Sequence, residues 1–318
     1  MVGIIILNYR TWELSIRCMK SIAESSSECA YHIYLVDNAS PNLMPKVCRS
    51  YLEEHGDKIS FLQASENKGY AAGNNIGIRQ ALADDCEYIL ITNNDIVFTS
   101  EAISNMLAGF KNSKVGIVGP KVLNADGNIQ VSRCAMKTEM REIFQVFTAA
   151  KKFFRRKFSR YYCLDQEIDK PSVVYYVSGC CFMMTKVCAE EVTPLDEGTV
   201  LYDEEPILGV HMEEKGFQTL YYPESVVIHR HGATTMQIQP FMYQCICQSE
   251  IYYCSHYLHA KKWQLWMLYH YRRSLYRIRS RKDEKLKAYW NEFDKQTKMA
   301  YRKAVGEGRI SNKPVTKR

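Results

Sequence analysis

Short apolar runs along the first two-thirds of this chain each end on a polar residue. Residues 2–7, VGIIIL, form a continuous apolar stretch bounded by Asn8 and Tyr9. A run that short, rich in β-branched side chains, predicts a strand buried on both faces. Residues 12–25 then read as a helix. HIYLV at 32–36 predicts a second strand, ending at Asp37, and YILIT at 88–92 a third, ending in Asn93-Asn94-Asp95. Between these two, the glycine-rich stretch ENKGYAAGNN opens a helix over 70–83. A helix over 100–110 and a strand at 115–120 follow. Strands alternating with helices predict an α/β layer built on a mostly parallel sheet. In open α/β sheets ligands bind beyond the carboxyl ends of the strands. The polar run-ends Asn8, Asp37, Asn38 and Asp95 are therefore nominated for one site.

The pattern loosens over 131–170, which reads as an insertion or a mobile segment. A strand over 175–185, YYVSGCCFMMT, comes next. LYDEEP at 201–206 leads into a helix from about 206 to 215 closed by Gly216, with strands near 218–222 and 226–229. Residues 240–305 look helical. A length of 318 residues accommodates two domains at most. The division expected is a catalytic part at 1–235 and a basic, mainly helical part at 236–318.

Hydrophobic residues make up 46% of the chain and charged residues 24%, which excludes a disordered or collagenous protein. No apolar run reaches the ~18 residues of a spanning helix. The start, MVGIIILNYRTW, lacks the basic flank of a signal peptide, so a cytoplasmic protein with reduced thiols is expected. The twelve cysteines are scattered without a CxxC pair, which argues against a zinc array or a disulfide framework. Charge changes the picture more. The net +7 comes from two segments without acids: KKFFRRKFSR at 151–160 and KKWQLWMLYHYRRSLYRIRSRK at 261–282. Together they carry fourteen cations, leaving the remainder at −7. Basic patches interleaved with aromatics suit phosphates on a membrane surface or a nucleic acid.

Three clusters could do chemistry, and each has two readings. Asn93-Asn94-Asp95 at a strand end is either a turn or a carboxylate placed for a hard divalent cation bridging a diphosphate. Asp203-Glu204-Glu205 is either an acidic helix start favoured by the dipole or a set of mutually repelling carboxylates, one of them raised toward a useful base. His229-Arg230-His231 after the strand VVI is either a pair of loop histidines or a metal ligand joining Asp95. The glycines of ENKGYAAGNNIG match neither a Walker A loop nor GxGxxG, but they permit close backbone approach to a nucleotide.

Taken in order, these segments resemble the inverting, nucleotide-sugar-dependent glycosyltransferases of family 2, in the branch that builds bacterial surface polysaccharides and includes rhamnosyl- and galactofuranosyl-type transferases. The matching residues are ILNYR (6–10), VDNASPN (36–42), ENKGYAAGNNIGI (66–78), ITNNDIVF (91–98), GPKVLNADGNIQ (119–130), VSGCCFMMTK (177–186), LYDEEPILGVHMEEKGF (201–217) and YYPESVVIHRHG (221–232). They cover about residues 1–235. The resemblance implies the GT-A fold, a Rossmann-like, mostly parallel central sheet flanked by helices, here with a helical C-terminal extension.

The resemblance also implies roles. Asn8, Tyr9, Asp37, Asn38, Asn67, Gly69, Asn74 and Asn94 would form the nucleotide site. Asn93-x-Asp95 occupies the family's DxD position, with Asn in place of the first acid. His229 matches the late metal-binding histidine, with His231 close enough to compete. Gly179, Asp203 and His231 would shape the sugar and acceptor pocket. The family's Glu-Asp pair falls on Glu204-Glu205, and its distance from Gly216 assigns the base to Glu205, with Glu204 the alternative. The implied cofactor is Mn²⁺ or Mg²⁺. The implied partners are a UDP- or dTDP-sugar donor, a glycan or lipid-diphosphate-linked acceptor and, through 261–282, an anionic membrane surface on which the protein would sit peripherally. No nucleic-acid motif accompanies the basic patches, so no nucleic-acid partner is expected. The oligomeric state is left open. Two other functions fit the same features: a sugar nucleotidyltransferase, which would need a glycine-rich basic loop after the first strand, and a non-catalytic nucleotide-sugar-binding or scaffold protein.

Overall fold

Val2, Ile4, Ile5 and Ile6 are at most 2% exposed, so the first apolar run does bury both faces. The computed structural model describes residues 1–25, 29–230 and 239–307. In chain order it contains β1 (Val2–Asn8), α1 (Trp12–Ser25), β2 (Tyr31–Asp37), α2 (Lys46–Glu54), β3 (Ile59–Gln63), α3 (Tyr70–Ala83), β4 (Tyr88–Asn93), β5 (Ile96–Phe98), α4 (Ala102–Ala108) and β6 (Val115–Asn124). Next come β7 (Cys134–Ala135), α5 (Met140–Val146), α6 (Arg155–Tyr161), β8 (Ser172–Val174), β9 (Tyr176–Val177), β10 (Cys181–Thr185), α7 (Lys186–Val192), α8 (Glu204–Glu214) and β11 (Gln218–His229). The chain closes with α9 (Gln239–His256), α10 (Lys262–Ser280), α11 (Glu284–Ala288) and α12 (Trp290–Glu307).

The main sheet runs β3-β2-β1-β4-β10-β6-β11-β5, with β8 also on β11. Strands β3, β2, β1 and β4 are mutually parallel; β10 runs against β4 and β6; β11 is parallel to β6. Alternation sorts the side chains by face. Ile4 and Ile6 pack with Met19 and Ile22 of α1 and Ile103 and Met106 of α4. Ile5, Ile89 and Ile91 pack with Ile78 and Ala81 of α3 and Val192 of α7. The register of β1 on β2 and β4 puts Asn8 beside Asp37 and Leu7 beside Asn93, so the polar strand ends form one edge.

Several expectations are corrected. The strand over 175–185 is broken: β9 leaves the main sheet to pair with β7, and the chain turns through Ser178–Cys180 before β10. The two strands near 218–229 are one, β11, with an irregularity between Tyr222 and Val226 that keeps both halves on β6. The helix expected from 206 begins at Glu204. Between Asp37 and the helix at 70, where the pattern predicted no element, the chain forms α2 and β3. The irregular stretch 131–170 contains β7, α5 and α6. Met140 and Ile143 of α5 share a hydrophobic core with Ile251, Cys254, Leu265 and Leu268 of α9 and α10. The backbone N–H of Ala149 donates to the Tyr271 hydroxyl of α10 at 2.9 Å. Thus 131–170 is packed against the C-terminal helices. All twelve cysteines are free, and eleven are buried.

Candidate active site

A cleft of about 220 Å³ opens at the carboxyl edge of β1, β2 and β4, lined by Tyr9, Asn38, Asn67, Gly69, Tyr70, Asn93, Asn94 and Asp95, with Val200, Leu201, Phe241 and Met242 opposite. Most of the expected nucleotide-site residues therefore converge. Asn8, Asp37 and Asn74 do not line the cleft and stand behind its wall, at most 2% exposed. The amide of Asn8 donates to Asp37 Oδ1 at 2.8 Å, and its oxygen accepts from Ser15 Oγ at 3.0 Å and Asn94 Nδ2 at 3.2 Å. Asn94 Nδ2 also reaches Thr11 Oγ1 and Ser15 Oγ, at 2.8 and 2.9 Å. Asp37 accepts from Ser40 Oγ at 2.5 Å and Gln63 Nε2 at 3.0 Å. Asn38 donates to Asn67 Oδ1 and the Gly69 carbonyl, leaving its own Oδ1 buried without a partner among the described residues.

Gly69 requires its glycine. Its φ is +104°, and a Cβ there would lie 2.3 Å from the Val200 carbonyl oxygen. This close approach brings the 198–202 loop against the start of α3, where the Tyr70 N–H donates to the same carbonyl at 3.0 Å.

Asp95 and His229 meet across the β4–β5 turn and the end of β11. His229 Nε2 lies 3.2 Å from Asp95 Oδ1, and Gln130 Oε1 holds the other ring nitrogen at 3.0 Å. Burial disfavours a charged imidazole here, but hydrogen bonds to Asp95 and Cys180 outweigh it and push the pKa up to about 10. The 3.2 Å separation is also close to the ~3.0 Å that adjacent ligands keep when each lies ~2.1 Å from one octahedral ion, and Gln130 supplies the outer hydrogen bond typical of a metal-bound histidine. The pair fits a divalent cation. Among the described residues no group of three or more His, Cys, Asp or Glu is arranged to hold an ion, so any further ligands would come from Asn93, solvent or a bound diphosphate. His231 lies outside the described residues.

The acidic triplet divides. Glu205 Oε1 accepts from the Gly179 N–H at 3.0 Å. Its pKa is raised by burial, opposed by its own backbone N–H and that of Gly179. Glu204 turns toward Thr199, whose hydroxyl donates to it at 2.9 Å. Burial, then the charge of Glu205, push Glu204 up to about 8. Asp203 faces a different cavity. Tyr202 and Asp203 both take left-handed backbone conformations, with φ of 78° and 65°. Two such non-glycine residues in succession are the kind of local strain that clusters at functional sites.

The turn at 178–181 joins the two halves of the site. Gly179 N–H holds Glu205, the Gly179 carbonyl accepts from Tyr70 OH at 2.5 Å, and the Cys180 carbonyl accepts from Asn93 N–H at 2.8 Å. A Cβ on Gly179 would meet Glu205 Oε1 at 2.9 Å, so a larger residue would displace the carboxylate. The sequence reading missed Ser15, Ser40, Gln63, Tyr70, Gln130 and Thr199. A signal existed for Ser15: it interrupts the buried stripe Trp12, Cys18, Met19 and Ile22 of α1 with a hydroxyl.

Parallel strands that end on one cleft, with a carboxylate–histidine pair and a separate carboxylate whose pKa burial raises, sit on a fold of the GT-A glycosyltransferase type. The glycosyl transferase family 2 pattern matches residues 3–192, and the chain belongs to that family. It is similar to the low-salt glycan biosynthesis hexosyltransferase Agl10 of Haloferax volcanii, at 29% identity over 127 residues, 40% of this chain and 38% of that protein. It is also similar to the N-acetylglucosaminyl-diphospho-decaprenol L-rhamnosyltransferase of Mycobacterium tuberculosis, at 22% identity over 220 residues, 66% of this chain and 70% of the relative. Among solved structures, the mannosyltransferase PcManGT of Pyrobaculum calidifontis in complex with GDP-Man and Mn²⁺ aligns with TM-score 0.53 and 14% identity, covering 98% of this chain and 88% of that one. GalNAc-T7 with UDP, GalNAc and Mn²⁺ aligns with TM-score 0.57 and 13% identity, covering 80% and 51%. At these identities the structural likenesses speak for the fold.

Proposed function

We propose that this protein is an inverting glycosyltransferase that moves a sugar from a nucleotide-diphosphate donor to a hydroxyl of a glycan or lipid-diphosphate-linked acceptor in surface polysaccharide synthesis. The observation that carries this reading is the 178–181 turn, which ties a raised carboxylate, Glu205, to the Asn93–Asp95 and His229 side of the cleft. Glu205 takes the proton of the acceptor hydroxyl. The new bond forms between that oxygen and the anomeric carbon as the bond to the diphosphate oxygen breaks, and the leaving charge goes to the nucleotide. One displacement inverts the configuration. Asp95 and His229, with Asn93 beside them, would hold Mn²⁺ or Mg²⁺, which when bound supplies charge stabilisation at the leaving diphosphate. Asn38 and Asn67 line the cleft where the base or ribose would lie, while Asn8, Asp37 and Asn94 keep its wall rigid. The hydrogen bond from Thr199 supports reading Glu204 as a supporting residue, with Glu205 as the proton acceptor.

The test is turnover. The protein is incubated with UDP-, dTDP- and GDP-sugars, with Mn²⁺, Mg²⁺ or EDTA, alone and with a polyprenyl-diphosphate-linked saccharide, and nucleotide diphosphate release is followed. Metal-dependent release from one donor supports the reading and names the sugar. Nucleotide binding without turnover of any donor favours a binding or scaffold protein.

The basic segments bear on where the enzyme works. Much of α10 is committed inside the protein: Arg272 is held by Glu250, Arg273 by Asp294, and Arg277 and Arg279 lie 4.7 Å from the ring centres of Trp290 and Tyr243. The exposed remainder combines Trp263 and Trp266, more than half exposed, with Lys261 and Lys262, and joins the 149–157 segment carrying Phe153 through the Ala149–Tyr271 bond. Aromatics set among cations suit an anionic bilayer surface. Among the described residues no helix is long and apolar enough to cross a membrane. Sedimentation with phosphatidylglycerol vesicles, lost in Trp263→Ser/Trp266→Ser and with phosphatidylcholine alone, supports peripheral docking. Equal binding to both lipids, or to neither, removes it.

A further inference from the structure

The cations of α10 are not all used in the same way. Arg272 is held by both Glu250 oxygens, and Arg273 by Asp294. Arg277, Arg279, Arg281 and Lys282, at the end of the helix and just beyond it, make no ion pair with any described residue. The acids that follow them are spent elsewhere. Asp283 accepts from the backbone N–H groups of Lys285 and Leu286, and Glu284 pairs with Lys287. The dipole of α10 favours cations at this end, which accounts for their number. It does not account for the cavity that one of them lines.

That cavity, of about 240 Å³, lies between the start of α9, the second half of α10 and α12. Its polar groups are Arg272, Arg279 and Tyr243, and its apolar floor is Ile246, Leu275 and Phe293; no Asp or Glu among the described residues lines it. All of it lies beyond the residues matched by the family pattern. The Arg279 guanidinium sits 4.7 Å from the centre of the Tyr243 ring. Stacking of that kind orients the planar fork without neutralising it or consuming its N–H donors. The Tyr243 hydroxyl makes no hydrogen bond with any described residue and can donate beside it. Arg272 adds little net charge, because Glu250 takes it up. The cavity thus combines one oriented, unneutralised guanidinium, one free hydroxyl and a floor of hydrocarbon. A guanidinium fork fits two phosphate oxygens at once. The floor offers nothing to an ion that lacks a hydrocarbon part.

We propose that this cavity is a headgroup site for a lipid with a terminal phosphate, held by Arg279 and Tyr243 with the first carbons of its chain on Ile246, Leu275 and Phe293. A phosphate monoester carries about −1.5 to −2 charge at neutral pH and presents three oxygens. A phosphodiester carries one charge and is substituted on both sides, so the site favours the monoester. The inference deepens the bilayer reading above by naming a headgroup, and it is independent of the transferase reading.

The test uses the full chain at about 0.15 M salt, where exposed charges more than ~8 Å apart are largely screened. Dioctanoyl phosphatidic acid, dioctanoyl phosphatidylglycerol and inorganic phosphate are titrated by calorimetry below micelle formation. Vesicles of phosphatidylcholine with either long-chain anionic lipid, matched for surface charge, are sedimented in parallel. Short-chain phosphatidic acid is expected to bind, with the diester and inorganic phosphate each about tenfold weaker. Arg279→Gln should weaken phosphatidic acid by about tenfold, the scale of one charge-assisted hydrogen bond, and erase its preference over the diester. Arg281→Gln removes an equal charge outside the cavity and should weaken both lipids alike, by about twofold. Trp263→Ser/Trp266→Ser should lower vesicle binding and spare the soluble lipid, which separates failure of bilayer docking from failure of this site. Equal binding of the two soluble lipids, inorganic phosphate binding as tightly as phosphatidic acid, or equal losses in Arg279→Gln and Arg281→Gln would show diffuse charge alone and overturn the inference.

Discussion

Under the proposed reading, the donor and acceptor sides of this site are built by opposite means. On the donor side polar groups are tied to one another: the Asn94 amide alone reaches Asn8, Thr11 and Ser15, and Asp37 is bracketed by Asn8, Ser40 and Gln63. Such a network is rigid and specifies one geometry. On the acceptor side, carboxylates are desolvated and crowded, Asp203 and Glu204 among them. The first arrangement holds a ligand of fixed shape. The second keeps carboxylates from full solvation, which raises their pKa values toward the range of a useful base.

The comparison can be broken from either side. The largest effect is expected from Glu205→Gln, which should lower transfer by about 10³-fold, within the range attributed to a positioned base, while nucleotide affinity measured by calorimetry stays unchanged. Asp95→Asn should act through the other half, lowering the initial rate by about 10²-fold and raising the Mn²⁺ concentration needed for half-maximal rate. Gly69→Ala probes the joint between the 198–202 loop and α3. With φ at +104° and a Val200 backbone oxygen 2.3 Å from the new Cβ, it should cost about 1–3 kcal/mol in urea unfolding and raise the donor KM.

Glu204 gives a pH signature. Its pKa rises from 4.5 to about 8 on folding, so between those values the folded state holds more protons than the unfolded chain. Stability therefore falls as pH climbs through this window, by at most ~1.4 kcal/mol per unit for one group. Melting temperatures from pH 5 to 8 should show that decline, and Glu204→Gln should lessen it, Asp203 and Glu205, also raised by burial, supplying the rest. The smallest effect is expected from Ser15→Ala, about 1 kcal/mol for the hydroxyl that steadies Asn8 and Asn94, seen as a lowered melting midpoint.

The same contrast explains what could be read from the sequence. The donor side was legible because strand ends are local: Asn8, Asp37 and Asn93–Asp95 each close an apolar run, and parallel register does the rest. The hydroxyls behind them were less so: Ser15 shows only as a break in the buried stripe of α1, and Ser40 looks like an ordinary loop residue until the 38–42 loop is folded. Residues 44–63 failed for another reason. In the edge strand β3 only Ile59 is buried and the following positions alternate half-buried and exposed, so its apolar signal is diluted. The acceptor side was legible only as a motif, LYDEEP. Its surroundings are made by packing of α5 on α9 and α10, which lie far along the chain from it, and no periodicity records such a meeting.

The most direct test of the account is the pH dependence of kcat/KM for transfer in the wild type, Glu205→Gln and Glu204→Gln. The account predicts that the wild-type rate rises with pH through one group whose pKa stands above the ordinary carboxylate range, because Glu205 must lose its proton and burial resists that loss. The limb should vanish with the activity in Glu205→Gln and persist in Glu204→Gln. A limb that survives in Glu205→Gln, or disappears in Glu204→Gln, would contradict the assignment and move proton transfer to Glu204.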